Sequence, residues 1–234
     1  MSAYGDRIHD NSSFGLGDRL KQLSTRIAGR LRLGLRFEST RVGLRRDLTV
    51  PFTAPDAKIP ISVRPLTEAD LPALLALDET ASPEDKFETA WRGAFAAKHM
   101  KGGFVAIDER NGTPCYMQWL FGAADNEFVL SIGGFPALKA DEALLENAYT
   151  PARYRGMGIM PAAMARIAER ASDIGARYVI TFVQDDNIPS LKGCQRSGFA
   201  PHLRHNQVRL GFGMSRRDSF ADLPADDPLR TKKF

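Results

Sequence analysis

The sequence predicts an α/β fold in which helices flank one mixed β-sheet of about seven strands. Short apolar runs with the two-residue period of strands alternate with longer segments of helical period. The apolar run at 177–183 is nearly continuous, as in a strand that is buried on both faces. A glycine-containing turn at 155–158 joins a predicted strand to a predicted helix, as expected for an α/β fold.

The first 58 residues are predicted to form a basic N-terminal extension. They hold 11 lysines and arginines against 6 acids, so the formal net charge of +4 originates here. Leucines and an isoleucine recur at helical spacing between arginines over 18–36, which predicts a basic amphipathic helix. This helix has three interpretations: packing on the main domain, contact with an anionic membrane surface, or binding of a partner, as in a homodimer. Three prolines within 50–60 predict a linker after it.

The main domain is predicted over 59–216, and a polar tail over 217–234. Residues 127–135 fit either another strand or an insertion on the substrate side. The remaining elements are predicted as a strand at 61–66, helices at 67–78 and 83–100, a hairpin of strands at 103–109 and 115–121, a strand at 143–150, a helix at 159–175, the buried strand at 177–183, a short helix at 187–198, and closing strands at 199–204 and 207–214.

Composition narrows the class of protein. No apolar run approaches the roughly 18 residues that cross a bilayer, and the N-terminus lacks the apolar core of a secretory signal. The two cysteines have no metal-ligand spacing and the four histidines are scattered, so no metal is expected. Reduced thiols favour a cytoplasmic location, peripheral to the inner face of the membrane if the basic helix binds lipid. No nucleic-acid-binding motif accompanies the arginines, and no nucleic-acid partner is expected.

The turn at 155–158 has the chemistry of an anion site. The strand before it ends at Thr150, and the next helix begins near Gly158. The first N–H groups of a helix lack internal partners and carry the positive end of the helix dipole. Glycines let a phosphate approach the backbone closely, and Arg153 and Arg155 add positive potential. The P-loop lysine and the three spaced glycines of the dinucleotide fingerprint are missing. The pattern alone fits a pyrophosphate cradle or a plain tight turn.

Two separate motifs resemble the GCN5-related N-acetyltransferase (GNAT) superfamily. The letters RGMGIM from Arg155 resemble its Arg/Gln-x-x-Gly-x-Gly/Ala turn, with Met160 replacing the last small residue. Aligning the motif from Arg153 matches more of its letters. Members of the family commonly have the sequence YRGxGI at this turn, however, which favours the alignment from Arg155. The letters NIPSLKGCQRSGF at 187–199 resemble its Asn-x-x-Ala/Ser-x-x-x-Tyr-x-x-x-Gly-Phe motif, with Cys194 replacing the tyrosine. The resemblance covers roughly residues 61–214.

This resemblance implies a GNAT-like fold and an acyl-CoA-dependent N-acyltransferase in which a primary amine directly attacks the thioester of acetyl-CoA. The residues it implies for binding acetyl-CoA lie on the strand before the turn, in the turn and on the following short helix: Ala148, Tyr149, Thr150, Arg155, Gly156, Met157, Gly158, Ile159, Met160, Asn187 and Ser190.

Three residues are candidates for the proton chemistry. Glu146 lies nine residues before Arg155, where aminoglycoside-type members of the family carry a carboxylate that serves as base or holds the amine. Its alternative interpretation is a solvated acid at a strand edge. Cys194 or Tyr149 is the candidate acid for the leaving thiolate, and for Cys194 simple packing is the alternative.

The acceptor is expected to be a small amine or an amino sugar, since the chain resembles family members associated with bacterial polysaccharide modification. Other possibilities are a protein lysine or N-terminus, and a non-catalytic CoA-binding or membrane-tethered module. Acids in the two segments expected to line the acceptor site suit a cationic amine or are plain solvated surface: Glu79, Glu84, Asp85, Glu88, Asp125, Glu127, Asp141 and Glu142.

Overall fold

Eight strands form one sheet in a computed structural model that describes residues 35–77, 82–211 and 214–234. The order across the sheet is β2-β3-β4-β5-β6-β1-β7-β8, and only β5 and β6 run parallel. The strands are β1 (Arg36–Asp47), β2 (Ile61–Pro65), β3 (Gly103–Asp108), β4 (Thr113–Gly122), β5 (Glu142–Tyr149), β6 (Tyr178–Gln184), β7 (Ala200–Leu210) and β8 (Ser215–Asp222).

Helices cover both faces of the sheet, which confirms the predicted fold class. One face packs against α4 (Ile159–Glu169) and α5 (Ile188–Arg196). The other packs against α1 (Leu71–Leu74), α2 (Pro83–Lys98) and α3 (Asn126–Ile132). Within the described ranges, every helix is too short or too polar to cross a lipid bilayer.

The strand β1 lies in the middle of the sheet, although the sequence pattern places its residues in the N-terminal extension. It pairs with β6 on one side and β7 on the other. Val42 and Leu44 are buried against the face that α4 covers, while Arg41 and Arg45 alternate with them on the opposite face. Arg46 lies on the same face as Val42 and Leu44, where it donates to the Ala165 carbonyl oxygen of α4. Both faces of β1 therefore contain charge, which hid the strand pattern. The predicted basic helix lies outside the described residues except for its last two positions, and β1 begins at Arg36.

The segment 127–135 is a helix followed by a glycine turn, so its interpretation as a strand was wrong. Its apolar residues fit a helical face as well as a strand, and Val129 is buried. Asn126 ties the helix to the following loop: its Nδ2 donates to the Leu138 carbonyl oxygen at 2.9 Å, and the Leu138 N–H donates to its Oδ1 at 2.7 Å. These two hydrogen bonds join residues twelve positions apart, so the local pattern of apolar residues does not predict them.

The end of the chain also differs from its prediction. One strand, β7, spans most of the region where two short strands were expected, and β8 includes residues 217–222 of the predicted polar tail. β8 is an edge strand, and the polar residues that indicated a tail are typical of such edges.

The two parallel strands separate soon after they meet. β5 pairs with β6 only over Glu142–Leu144. Beyond this point a cavity opens between the strands, and it joins the two faces of the sheet.

Candidate active site

The cavity between β5 and β6 has a volume of about 310 Å³. Its walls come from both faces of the sheet. On one face it is lined by residues of α4 and α5, and on the other by residues of α2, β1, β7 and β8. The separation of β5 from β6 therefore connects the predicted cofactor side of the sheet with the side where the acceptor was expected.

A bulge in β5 shapes the narrowest part of this passage. Trp119 of β4 pairs with Glu146, and Met117 pairs with Tyr149, so β5 has one extra residue between these pairs. Asn147 in the bulge adopts a left-handed backbone with φ of 56°. Its Nδ2 is buried without a hydrogen-bond partner among the described residues, and it lines the cavity. The bulge thus leaves backbone groups unpaired next to the cavity.

The predicted thioester-binding residues lie in or near this bulge. Glu146 and Ala148 line the cavity together with Asn147, which the sequence motifs did not indicate. Tyr149 and Thr150 are not among the lining residues. The Tyr149 ring lies beneath the guanidinium of Arg92, with Cζ 4.6 Å from the ring centre.

The glycine turn has the open backbone that an anion cradle requires. Gly156 and Gly158 have φ of 76° and 71°, a conformation that favours glycine. Nothing lies within 4 Å of where a Cβ on Gly156 would project, so the space above it is free for a ligand. Gly158 is the N-cap of α4, and the helix then begins at Ile159. Its first N–H groups face outward with the positive end of the dipole.

The chain fixes this turn from two sides. The Met157 carbonyl oxygen accepts from the Lys58 N–H at 2.8 Å, and the Arg155 Nε donates to the Thr150 carbonyl oxygen at 3.2 Å. In the loop before the turn, the Tyr154 hydroxyl donates to the buried Asp108 carboxylate at 3.3 Å. The Arg110 guanidinium is the main cause that lowers the pKa of Asp108, to about 2. The carboxylate is therefore charged at neutral pH and anchors the loop.

The two helices beside the cavity meet through Met160. Its side chain lies against Gly193 of α5, where a Cβ would overlap the Met160 sulfur. Asn187 caps α5 by accepting from the Ser190 N–H at 3.2 Å, and both residues line the cavity. The structure thus brings Met160, Asn187 and Ser190 into one wall, whereas the predicted residues Arg155, Gly156, Met157, Gly158 and Ile159 are not among the lining residues of the cavity.

Cys194 lies in the same wall but is almost completely buried. Its Sγ is 3.9 Å from the Met164 Sδ, and burial raises the pKa of the thiol to about 12. An ordinary thiol has a pKa near 8.5. The buried thiol of Cys194 is therefore a poorer acid than an ordinary thiol, and this favours the packing interpretation.

The acceptor side of the cavity is more basic than its sequence suggested. Of the acids expected there, Glu88 is the only one among the described cavity residues, and its carboxylate accepts from Arg92 at 3.0 Å. Glu79 and the side chain of Glu84 lie outside the described part of the chain. The cavity residues that sequence reasoning missed come mainly from strands far apart in the chain: Arg41, Trp91, Arg92, Gln118, Asn147, Gln207, Arg209 and Arg216.

A mixed sheet that opens between two parallel strands, with a strand, a glycine turn and a helix in succession beside it, is the arrangement typical of acetyltransferase folds. A family model described as "Acetyltransferase (GNAT) domain" matches residues 61–200, and the chain belongs to this family of acetyltransferases. The described residues contain no group of three or more His, Cys, Asp or Glu side chains arranged for a metal ion.

Solved structures with a similar fold are distant in sequence. A GCN5-related N-acetyltransferase from Sphaerobacter thermophilus is 15% identical over 87% of this chain and 68% of that chain, with a TM-score of 0.47. A glucosamine N-acetyltransferase region of a fungal multi-domain β-N-acetylglucosaminidase is also 15% identical. That match covers 84% of this chain and 23% of the other, with a TM-score of 0.51.

A third structure, AAC(6')-Iy, contains the bisubstrate analogue CoA-S-monomethyl-acetylneamine. It is 16% identical over 59% of this chain and 89% of that chain, with a TM-score of 0.42. No curated protein matches the chain.

Proposed function

We propose that this protein transfers an acetyl group from acetyl-CoA to the primary amine of a small molecule, which attacks the thioester directly. The cavity between β5 and β6 carries the proposal, because it extends from Met160 and the start of α5 on one face to a polar pocket on the other. A partly open cavity of about 310 Å³ that is shared between the two faces suits a small acceptor.

The glycine turn and α5 are the proposed binding site for acetyl-CoA, which supplies the thioester. The open space above Gly156 and the free N–H groups at the start of α4 suit a pyrophosphate. Asn187 and Ser190 at the start of α5 line the cavity where the pantetheine arm is expected to pass. The bulge at Asn147 and Ala148 presents unpaired backbone groups at the narrow passage. A backbone N–H there is our candidate for polarising the thioester carbonyl.

Glu146 is the proposed base or amine-holding residue. It pairs with Trp119 across the β4–β5 ladder and lines the cavity immediately before the bulge. A primary amine is mostly protonated at neutral pH and must lose a proton before it attacks. A carboxylate beside the passage can accept that proton through a water molecule, or can orient the ammonium group before deprotonation.

The test combines binding with turnover. Isothermal titration calorimetry measures the Kd for acetyl-CoA and so tests the proposed cradle at the glycine turn. A thiol-release assay over a panel of amines measures acetyl transfer. Glu146→Gln is expected to lower kcat/KM by about 100-fold or more, while the Kd for acetyl-CoA changes less than about threefold. The loss should shrink as the pH rises, because more of the amine is then already unprotonated.

Glu127→Gln is the matched control, since Glu127 is exposed on α3 and does not line the cavity. Unchanged turnover in Glu146→Gln would remove Glu146 from the mechanism. Acetyl-CoA binding without thiol release from any amine would favour a non-catalytic CoA-binding module, and no binding would end the proposal.

A further inference from the structure

Three neighbouring strands place an ordered set of side chains on the acceptor face of the sheet. Strand pairing aligns them in three rows, which we call the β1–β7–β8 array. The array lies on the face opposite α4 and α5, and most of its members line the cavity. Its rows are Phe37–Arg209–Arg216, Ser39–Gln207–Asp218 and Arg41–His205–Phe220.

Arg41 is held in the array by neutral groups. Its Nε donates to the His205 Nδ1 at 3.0 Å, and its NH2 group donates to the Gly134 carbonyl oxygen. Its Cζ lies 4.9 Å from the centre of the Phe135 ring. Because Nδ1 of His205 accepts this bond, the imidazole is neutral and its Nε2–H donates to Asp218 at 2.8 Å. Among the described residues, no carboxylate forms an ion pair with Arg41.

Arg216 shares the one acidic side chain of the array with several donors. Its Nε lies 2.7 Å from the Asp218 Oδ2. The Oδ1 of the same carboxylate accepts from His205 and from the Gln207 Nε2, each at 2.8 Å. The side chain of Arg216 is 28% exposed and that of Asp218 is 17% exposed. Both carboxylate oxygens of Asp218 therefore already have hydrogen-bonding partners within the array.

Two glycines after α3 make room for both guanidinium groups. Gly133 and Gly134 have φ of 68° and 79°. A Cβ on Gly133 would overlap the Arg216 guanidinium, and a Cβ on Gly134 would lie 2.7 Å from the Arg41 NH2 group. The loop therefore fits around these two arginines, which come from opposite ends of the chain. This close fit distinguishes them from arginines that merely extend into solvent.

The charges of this pocket are unbalanced within the array. Arg41, Arg209 and Arg216 contribute three positive charges to the array, and Asp218 contributes one negative charge, which forms an ion pair with Arg216. Holding guanidinium charge in a partly enclosed cavity costs free energy unless an anion compensates it. Guanidinium groups bind carboxylates and phosphates through paired, charge-assisted hydrogen bonds.

We infer that the β1–β7–β8 array binds an anionic group of the acceptor, so that the acceptor is a small amine with a carboxylate or phosphate at its other end. This inference rests on the proposed acetyl transfer and names the class of substrate. It replaces the expectation of an acidic pocket for a cationic amine. The amine would then lie toward Glu146, and the anion toward Arg41 and Arg216.

Matched pairs of amines test the inference by binding alone. β-Alanine and β-alaninamide differ in the carboxylate, and phosphoethanolamine and ethanolamine differ in the phosphate. Each is titrated into protein saturated with CoA, which carries no acetyl group and so allows no turnover. We expect the anionic member of one pair to bind roughly 10- to 100-fold more tightly than its neutral twin. The pair that shows this preference identifies the anion.

Two variants locate the effect. Arg216→Gln should reduce the preference to less than about threefold, given the charge-assisted bonds that it removes. Arg217→Gln is the control, because Arg217 is exposed and faces away from the array on the same strand. CoA affinity should match the wild type in both, and each variant should retain a cooperative melting transition. Arg41→Gln is the second array variant, with the same expected loss of preference.

The outcomes separate the two proposals. If CoA binds but neither pair shows a preference, or if Arg216→Gln and Arg41→Gln keep the preference, the array does not bind the acceptor. The proposed acetyl transfer would then stand without this acceptor class. If CoA fails to bind the wild-type protein, the proposed function itself fails.

Discussion

The central position of β1 makes a quantitative prediction about Leu44. This side chain is fully buried, and its backbone pairs with Thr181 of β6 and Pro201 of β7. Buried leucine-to-alanine changes cost about 2–5 kcal/mol, and the cost is higher where the surroundings cannot collapse. Because strands on both sides fix the backbone of β1, we expect Leu44→Ala to cost about 3–4 kcal/mol of unfolding free energy. For a chain of this size, that corresponds to a fall of roughly 6–15 °C in melting temperature.

Thermal unfolding followed by calorimetry or circular dichroism measures this shift. Leu35→Ala is the matched control: Leu35 immediately precedes the strand and is 74% exposed, so its truncation should cost less than about 0.5 kcal/mol. A shift in Leu44→Ala no larger than that of Leu35→Ala would refute the reasoning. It would place residues 36–47 outside the core, in an appended extension as their sequence suggested.

Two further predictions concern the candidate site. Gly156→Ala should raise the Kd for acetyl-CoA about fivefold or more, because its Cβ enters the open space of the cradle, where a lost hydrogen bond costs about 1 kcal/mol. Gly175→Ala, with a similar φ of 79° and equally open surroundings, should lose similar stability by calorimetry without changing that Kd; equal Kd values in both variants would contradict the cradle. Cys194→Ala should keep kcat within about threefold in the thiol-release assay, since a thiol with a pKa of about 12 is a poor proton donor. A loss of 100-fold would instead assign the proton transfer to Cys194.

The parts of the site that the sequence predicted are those with local signals. A tight turn or an anion cradle was expected at Gly156 and Gly158 from two glycines before an apolar helical pattern, and both glycines have left-handed φ in the structure. Asn187 before Pro189 and Ser190 has the composition of a helix N-terminus, and its side chain caps α5. In each case the residues that interact lie within a few positions of one another. A short stretch of sequence therefore contains both the residues that form the local structure and the groups that would contact a ligand.

The acceptor side could not be predicted in this way, because its residues become neighbours only through the pairing register of strands that are distant in the sequence. Arg41 and His205 are 164 residues apart and become neighbours only when β1 pairs with β7. Nothing near Arg41 in the sequence distinguishes it from the other arginines of the basic N-terminal segment. The same holds for the glycine pair after α3, whose purpose appears only when guanidinium groups from β1 and β8 lie against it. A count of acids along the chain therefore could not show which charged side chains line the pocket.

Met160 and Cys194, the two residues that depart from the family motifs, both lie in the contact between α4 and α5. In the sequence, Met160 and Cys194 belong to two separate motifs, and each replaces a different expected residue. In the structure, Met160 lies against Gly193, and Met164, one turn further along α4, lies against Cys194. Two methionines of α4 thus fill the space beside two small residues of α5. The small thiol of Cys194 therefore packs against Met164 within this arrangement. This packing favours the interpretation of Cys194 as a structural residue, because close-packed helices depend on the match in size between facing side chains.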